Sequence, residues 1–415
     1  MGWGPGLYTA ALIMPSSSPA TSPDLSTTHW PRVLLLWFCG LVAAMQFAKI
    51  SLAFVPLQLH YAVSAASMGW VLSTAGVVGL LFGVTMGLLA PGIGYRRLLL
   101  GGLWLGAALA LAQAALLPLP LFWASRVLEG ASHLALVVAA PTLMAASTGP
   151  GHRSVAMGLW STFVGAAFAI SGLLLPWVLA GAGLVAVFYG HAALLALAAL
   201  AVHRMVPTDA LPLAPLPGVS TLLARHVAIY THWETALPGL CFFCYTFLGL
   251  ALLTFVPSLT GTDRYWMVAV LPLTGVAGTF CAGWMAQYWM PPLRLVRWAY
   301  SALAVMALGL GGCLLAGWAL AIPALMLMFT AGVCCGSSYA LIPYLNATSA
   351  PQALANGAVA QMGNLGSTLG PPAFALALSL WGGAGLVALV LCSAGLGLCL
   401  ALWGKRQHTR RSQGA

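Results

Sequence analysis

The chain has 415 residues, 61% hydrophobic and 5% charged, with a formal net charge of +10. A soluble globular domain carries about 25% charged residues, so this composition excludes one and indicates a polytopic membrane protein. Apolar runs of about 20 residues without strand-like alternation exclude a β-barrel, and basic residues confined to short loops follow the positive-inside pattern, not a nucleic-acid footprint.

Residues 1–28 contain SSSPATSPDLSTT and lack a basic leader region. They read as a disordered cytoplasmic lead and not a signal peptide, with Met14 as a second candidate start. Six spans are predicted at 32–57, 66–90, 98–117, 121–140, 155–179 and 184–203, forming a unit over 29–203. A polar linker occupies 204–234. Its first part, PTDALPLAPLPG, is a proline-rich connector, and LARHVAIYTHWE predicts an amphipathic interfacial helix. Six more spans follow at 236–256, 265–289, 295–318, 321–344, 354–378 and 383–403, a second unit over 235–404. A basic tail closes the chain at 405–415.

Twelve spans bring both ends to one side, and 12 of the 15 basic residues fall there. Only Arg264 lies in an opposite loop, while Lys49 and Arg126 lie within spans. This asymmetry predicts cytoplasmic termini and a multi-pass protein of the inner (plasma) membrane. The halves also echo each other. SLAFVPLQL at 51–59 matches ALLTFVPSLT at 251–260, and GLLAPGIGYRRLLL after the second span parallels GWMAQYWMPPLRLV after the eighth. A repeat of six spans predicts a transporter with its site between the halves, near the midplane.

The fourth span holds Arg126, Glu129 and His133, whose offsets of three and seven put them on one helical face. Charges there are costly and face a protein interior or a water-filled cavity. Lys49 lies roughly 26 Å along the first span and Arg126 roughly 9 Å from the opposite end of the fourth. The pair is a candidate binding site for an anionic solute, against the alternative that Lys49 snorkels to the interface. Glu129 is the candidate proton carrier and His133 a candidate extension, against a static Arg126–Glu129 pair. Tyr245, Ser337, Ser338, Tyr339, Gln361 and Asn364 are polar positions in apolar spans and candidate cavity residues. Gly79, Gly83 and Gly87, and likewise Gly363, Gly366 and Gly370, are read as packing faces. The nine cysteines lie in apolar segments, and the Cys241–Cys244 pair reads as packing, not redox chemistry. No nucleotide loop or metal-ligand spacing occurs, so neither an enzyme, a cofactor nor a metal is expected.

Two motifs resemble those of the major facilitator superfamily of secondary transporters, over about 32–403. Its loop motif G-x-L-a-D-r-x-G-r-k is met by Gly87, Leu89, Ala90, Gly94 and Arg96, with Arg97 adjoining; Pro91 replaces the usual Asp and Gln287 stands there in the second copy. Its fourth-span motif R-x-x-q-G is met by Arg126, Glu129 and Gly130, with Glu in place of Gln. The exporter-associated G-x-x-x-G-P is missing from the fifth span. The resemblance implies an all-α fold of twelve transmembrane helices in two pseudo-symmetric six-helix bundles, working by alternating access. It implies that Gly87, Gly94, Arg96 and Arg97 gate, that Arg126 takes part in proton transfer, and that His191 on the peripheral sixth helix is structural. The function expected is secondary active transport of a small organic solute. The frequency of exporters in the family favours proton-coupled efflux of a metabolite, siderophore or drug. The alternatives are a proton-coupled importer of a small organic anion and a transport-dead receptor. Expected partners are the solute, protons and lipid, without nucleic acid, for a monomer.

Overall fold

A computed structural model describes residues 27–208 and 218–413, together with 213, 215 and 216. Nearly all of the expected lead and part of the proline-rich connector lie outside the described residues. Among those described there is no strand.

The first span is broken. α1 (Trp30–Leu52) stops at Ala53 and α2 (Phe54–Tyr61) continues it, with Pro56 in the first turn of α2, where a missing N–H costs little. The second span is also two helices, α3 (Ala65–Ser73) and α4 (Ala75–Ile93). Ser64 caps α3 by accepting from the Ser67 N–H at 3.1 Å. Gly94 turns the chain with φ +93°, a value that favours glycine, into α5 (Tyr95–Ala114). The fourth span, α6 (Leu119–Ala146), runs six residues past its predicted end. α7 (Arg153–Ser161) and α8 (Phe163–Gly181) make the fifth, and α9 (Gly183–Met205) the sixth.

The expected linker helix is α10 (Val219–Thr231). The second half follows as α11 (Trp233–Leu259), α12 (Arg264–Tyr288), α13 (Pro292–Ala316), α14 (Ala321–Leu345) and α15 (Ser349–Gln413). The last holds two spans. Its apolar stretch of 60 residues would measure about 90 Å if straight, three times a bilayer core of about 30 Å. It folds at Gly382, where φ is 55° and ψ −145°. α15 carries the basic stretch that follows the last span on as helix to Gln413.

The architecture is therefore twelve spans in two pseudo-symmetric bundles. Between the halves α3 and α4 pack on α15, and α8 packs on α12. A glycine seam permits this: Gly69 meets the backbone of Pro371 and Pro372, Gly76 meets Thr368, Gly79 meets Asn364, and Gly172 meets Val268. The expected face of Gly79, Gly83 and Gly87 is thus only partly one, since a Cβ on Gly83 or Gly87 would touch nothing within 4 Å. Gly363, Gly366 and Gly370 do form a face, against Phe242, Phe243 and Phe247 of α11. At the end away from the chain termini the halves are joined. Ser51 and Thr254 share a hydrogen bond of 2.8 Å, and the rings of Phe54 and Phe255 meet edge-on at 5.2 Å.

Candidate functional site

The interior of the first bundle holds a closed polar cluster. α1 supplies Lys49, α5 Gln113, α6 Arg126 and Glu129, and α9 His191. Lys49 is 2% exposed, and Arg126 and Glu129 are 0% exposed. Glu129 divides its carboxylate between the cations: Oε1 accepts from Lys49 Nζ at 2.6 Å, and Oε2 accepts from Arg126 Nη1. Gln113 spans the gap, its Nε2 donating to Glu129 Oε2 at 2.8 Å while its Oε1 accepts from Lys49 at 2.8 Å. The third Lys49 hydrogen points at His191 Nδ1, 3.1 Å away. His191 Nε2 lies 2.9 Å from the Val42 carbonyl, which can only accept, so the ring carries its proton on Nε2 and accepts at Nδ1. The Phe188 ring lies 5.3 Å from the ammonium.

Arg126 is held as fully. Its Nε donates to the Val71 carbonyl at 3.3 Å, Nη2 to Leu72 at 3.2 Å and Nη1 to Gln46 at 3.1 Å. The first two carbonyls belong to the last turn of α3, where a helix end leaves acceptors over. Gly130 lies one turn on, against the Ala75 backbone at the start of α4. The R-x-x-E-G motif therefore does one mechanical job at two points: it fastens the fourth span to the break in the second.

This geometry corrects three expectations. Lys49 and Arg126 meet, but on Glu129 inside the bundle, and Lys49 has no free N–H to offer an anion. Lys49 does not snorkel; its partners on α5, α6 and α9 draw it inward. His133 does not extend the cluster: its Nδ1 bonds the Ala43 carbonyl at 3.0 Å, its ring meets Phe47 edge-on at 5.0 Å, and no hydrogen bond joins it to Glu129. The position expected for His133 belongs to His191, read from the sequence as structural. Gln113 was missed altogether, although the test that singled out Gln361, an amide within an apolar span, applies to it equally.

The other candidates divide. Tyr245 is half-buried and Tyr339 exposed; both rings flank Phe242, at 5.6 and 5.0 Å, making an aromatic ledge on α11 and α14. Ser337 and Ser338 are fully buried, and both hydroxyls donate to the Cys334 carbonyl, which leaves them no cavity surface. Gln361 accepts from the Tyr230 hydroxyl at 3.1 Å and its Nε2 lies 3.1 Å from His226 Nδ1, so it docks α10 on α15 instead of lining a cavity. Asn364 bonds the Ala360 carbonyl at 2.8 Å in its own helix and covers Gly79. In the expected gating loop, Arg96 caps the end of α9 through the Val206 and His203 carbonyls at 2.7 and 2.9 Å. Arg97 is exposed, and Pro91 lies inside α4. Both bonds of Arg96 stay within the first half. All nine cysteines are free thiols, and no metal-binding group of three ligands occurs among the described residues.

Comparison with known proteins agrees with this architecture. Residues 36–371 match the Major Facilitator Superfamily. The chain is 27% identical over 389 residues to the 3-(3-hydroxy-phenyl)propionate transporter of Escherichia coli (strain K12), covering 87% of this chain and 90% of that protein. Among solved structures it resembles a bacterial homologue of the human lysosomal transporter Spinster. The inward-facing occupied form gives a TM-score of 0.68 at 13% identity, over 90% of this chain and 96% of that one. The inward-facing unoccupied form gives 0.65 at 14% identity, over 92% and 95%. With its two six-helix bundles and a family match across most of its length, the chain belongs to the Major Facilitator Superfamily of membrane transporters.

Proposed function

We propose that the protein is a proton-coupled secondary transporter that carries a small organic anion and a proton in the same direction. It works by alternating access in the inner membrane, with both termini cytoplasmic. The observation that carries this reading is the composition of the buried cluster: two cations, Lys49 and Arg126, share one carboxylate, Glu129. With Lys49 and Arg126 protonated and Glu129 ionised the cluster has one positive charge in excess, and after losing one proton it is neutral. A unit charge about 10 Å from an anion, at an effective dielectric constant of about 20, contributes about 1.7 kcal/mol, more than tenfold in affinity. Proton loading therefore tightens anion binding, and by linkage the anion tightens proton binding, which is the condition for cotransport.

The anion sits outside the cluster in this reading. The aromatic ledge of Phe242, Tyr245 and Tyr339 is the surface offered to an apolar ring. The Escherichia coli relative is by its name a transporter of an aromatic carboxylate, which supports the same solute class. Efflux gains no residue from the geometry. The orientation is supported by the gathering of 12 of the 15 basic residues on the side of the termini.

The test is uptake into proteoliposomes of a panel of aromatic and aliphatic carboxylates, 3-(3-hydroxyphenyl)propionate included, with and without an inward proton gradient. The expected result is accumulation of at least one aromatic acid that a protonophore collapses and Glu129→Gln abolishes. Accumulation indifferent to the gradient would contradict the reading.

A further inference from the structure

Glu129 is the obvious proton carrier, yet the geometry points elsewhere. We propose that the exchangeable proton is held by the Lys49–His191 pair, with Glu129 serving as the fixed counter-ion of Arg126. This rests on the proton-coupled reading above and names the group that performs it.

Glu129 has three donors on two oxygens: Lys49, Arg126 and Gln113. Protonating it breaks at least one of these bonds and leaves two buried cations with no counter-charge. Taking a proton from Lys49 leaves Arg126 and Glu129 as a neutral pair. Burial disfavours uncompensated charge, so the second path is the less costly one.

His191 is placed to take that proton. Its Nδ1 lone pair faces Lys49 Nζ at 3.1 Å, and its Nε2–H is already committed to the Val42 carbonyl. The ring therefore accepts at Nδ1 without exchanging tautomers. In the step, an Nζ–H bond breaks and its electron pair stays on Nζ. An N–H bond forms on Nδ1. The imidazolium then donates from one nitrogen to Nζ and from the other to Val42, so every group keeps a partner and total charge is unchanged. Water takes the proton from the ring when the bundle opens.

Among the described residues no further titratable side chain is hydrogen-bonded to Lys49, and His133, one turn along α6 from Glu129, is turned to the Ala43 carbonyl. α6 presents Glu129 and Arg126, α5 presents Gln113, and α9 presents His191 and the Phe188 ring. α3 and α8 carry no titratable side chain. Tyr61 of α2 donates to the Leu117 carbonyl, and α11 meets this end of the first span through Thr254 and Phe255.

The sequence makes the test direct, because the chain has only two lysines, Lys49 and Lys405, and two glutamates, Glu129 and Glu234. Full-length protein in micelles, labelled with 15N at lysine and 13C at the glutamate carboxyl, gives two signals of each kind; Lys405→Arg and Glu234→Gln assign them. Across the pH range in which anion uptake loses its proton dependence, the Lys49 signal is expected to convert to free amine and the Glu129 signal to stay a carboxylate. His191→Phe is expected to slow exchange of the Lys49 hydrogens with solvent by about a hundredfold, the scale of a lost acid–base partner. Glu129 converting over that range while Lys49 keeps its proton, or exchange untouched by His191→Phe, would overturn the assignment. Conversion of Lys49 in a wild-type protein whose proteoliposome uptake ignores the proton gradient would instead overturn the proton-coupled reading, and the transport role of the pair with it.

Discussion

The two halves share their packing and differ in their charge. Aligning the FVP repeats sets Phe54 against Phe255 and Pro56 against Pro257; aligning Pro141 of α6 with Pro343 of α14 extends nearly the same offset to the fourth and tenth spans. Gly130 then pairs with Gly332, and both do the same thing: Gly130 admits the Ala75 backbone and Gly332 the Gly275 backbone. The charges have no such counterparts. Lys49 aligns with Leu250, Arg126 with Met328, Glu129 with Ala331 and His133 with Cys335. The second bundle folds with a half-buried leucine and buried methionine, alanine and cysteine at those places. A six-helix bundle of this design thus needs the glycine but not the ions. Buried ion pairs contribute little net stability, so folding alone does not account for the trio, and the proposed coupling does.

Breaking the trio in one place has the largest expected effect. Glu129→Gln leaves Lys49 and Arg126 buried without a counter-charge and is expected to destabilise the first half by about 3–5 kcal/mol, read by thermal unfolding in micelles, while proton-driven accumulation is lost. Converting the whole trio to its second-half counterparts, Lys49→Leu with Arg126→Met and Glu129→Ala, reverses the stability sign. That variant is expected to be unchanged or more stable by about 1–4 kcal/mol, yet uncoupled. A large loss of stability in it would show that the comparison between halves misjudges the fold.

The shared feature gives the next effect. Gly130→Leu and Gly332→Leu each drive a side chain into a backbone carbonyl and are expected to cost about 1–3 kcal/mol, alike in the two halves. Unequal costs would mean that the two seams are not equivalent. The smallest effect belongs to the contact that closes the halves. Ser51→Ala removes one hydrogen bond to Thr254, worth about 0.5–1.5 kcal/mol, and is expected to shift the population toward opening at that end, read by cysteine accessibility of nearby positions.

Much of this was legible in the sequence because it follows from solvent. Span count, linker helix and repeat all come from where apolar residues stop and where FVP recurs, and the recurring Phe54 and Phe255 turn out to touch. The intramembrane cost of charge likewise singled out Arg126, Glu129 and Lys49. What stayed hidden depends on rotation and on partners distant in the chain. Counting depth along a helix put Lys49 and Arg126 at similar levels but not on which side, and Lys49 turns toward Gln113 and His191 on α5 and α9. Ser338 was misread for the same reason: a hydroxyl in an apolar span satisfies itself on the Cys334 carbonyl four residues back. The helix breaks at Ala53 and Thr74 carry no proline at the break itself, and the acceptors that α3 leaves for Arg126 became visible only once the fourth span was packed against it.

The central claim is that the charges of one half couple a proton to an organic anion. Its most direct test is the proton flux that accompanies anion uptake in proteoliposomes loaded with a pH-sensitive dye, wild type against the variant carrying Leu250, Met328 and Ala331 equivalents at positions 49, 126 and 129. The account predicts about one proton entering per anion in the wild type and anion exchange without proton entry in the variant. Proton entry that survives removal of all three charges would contradict it.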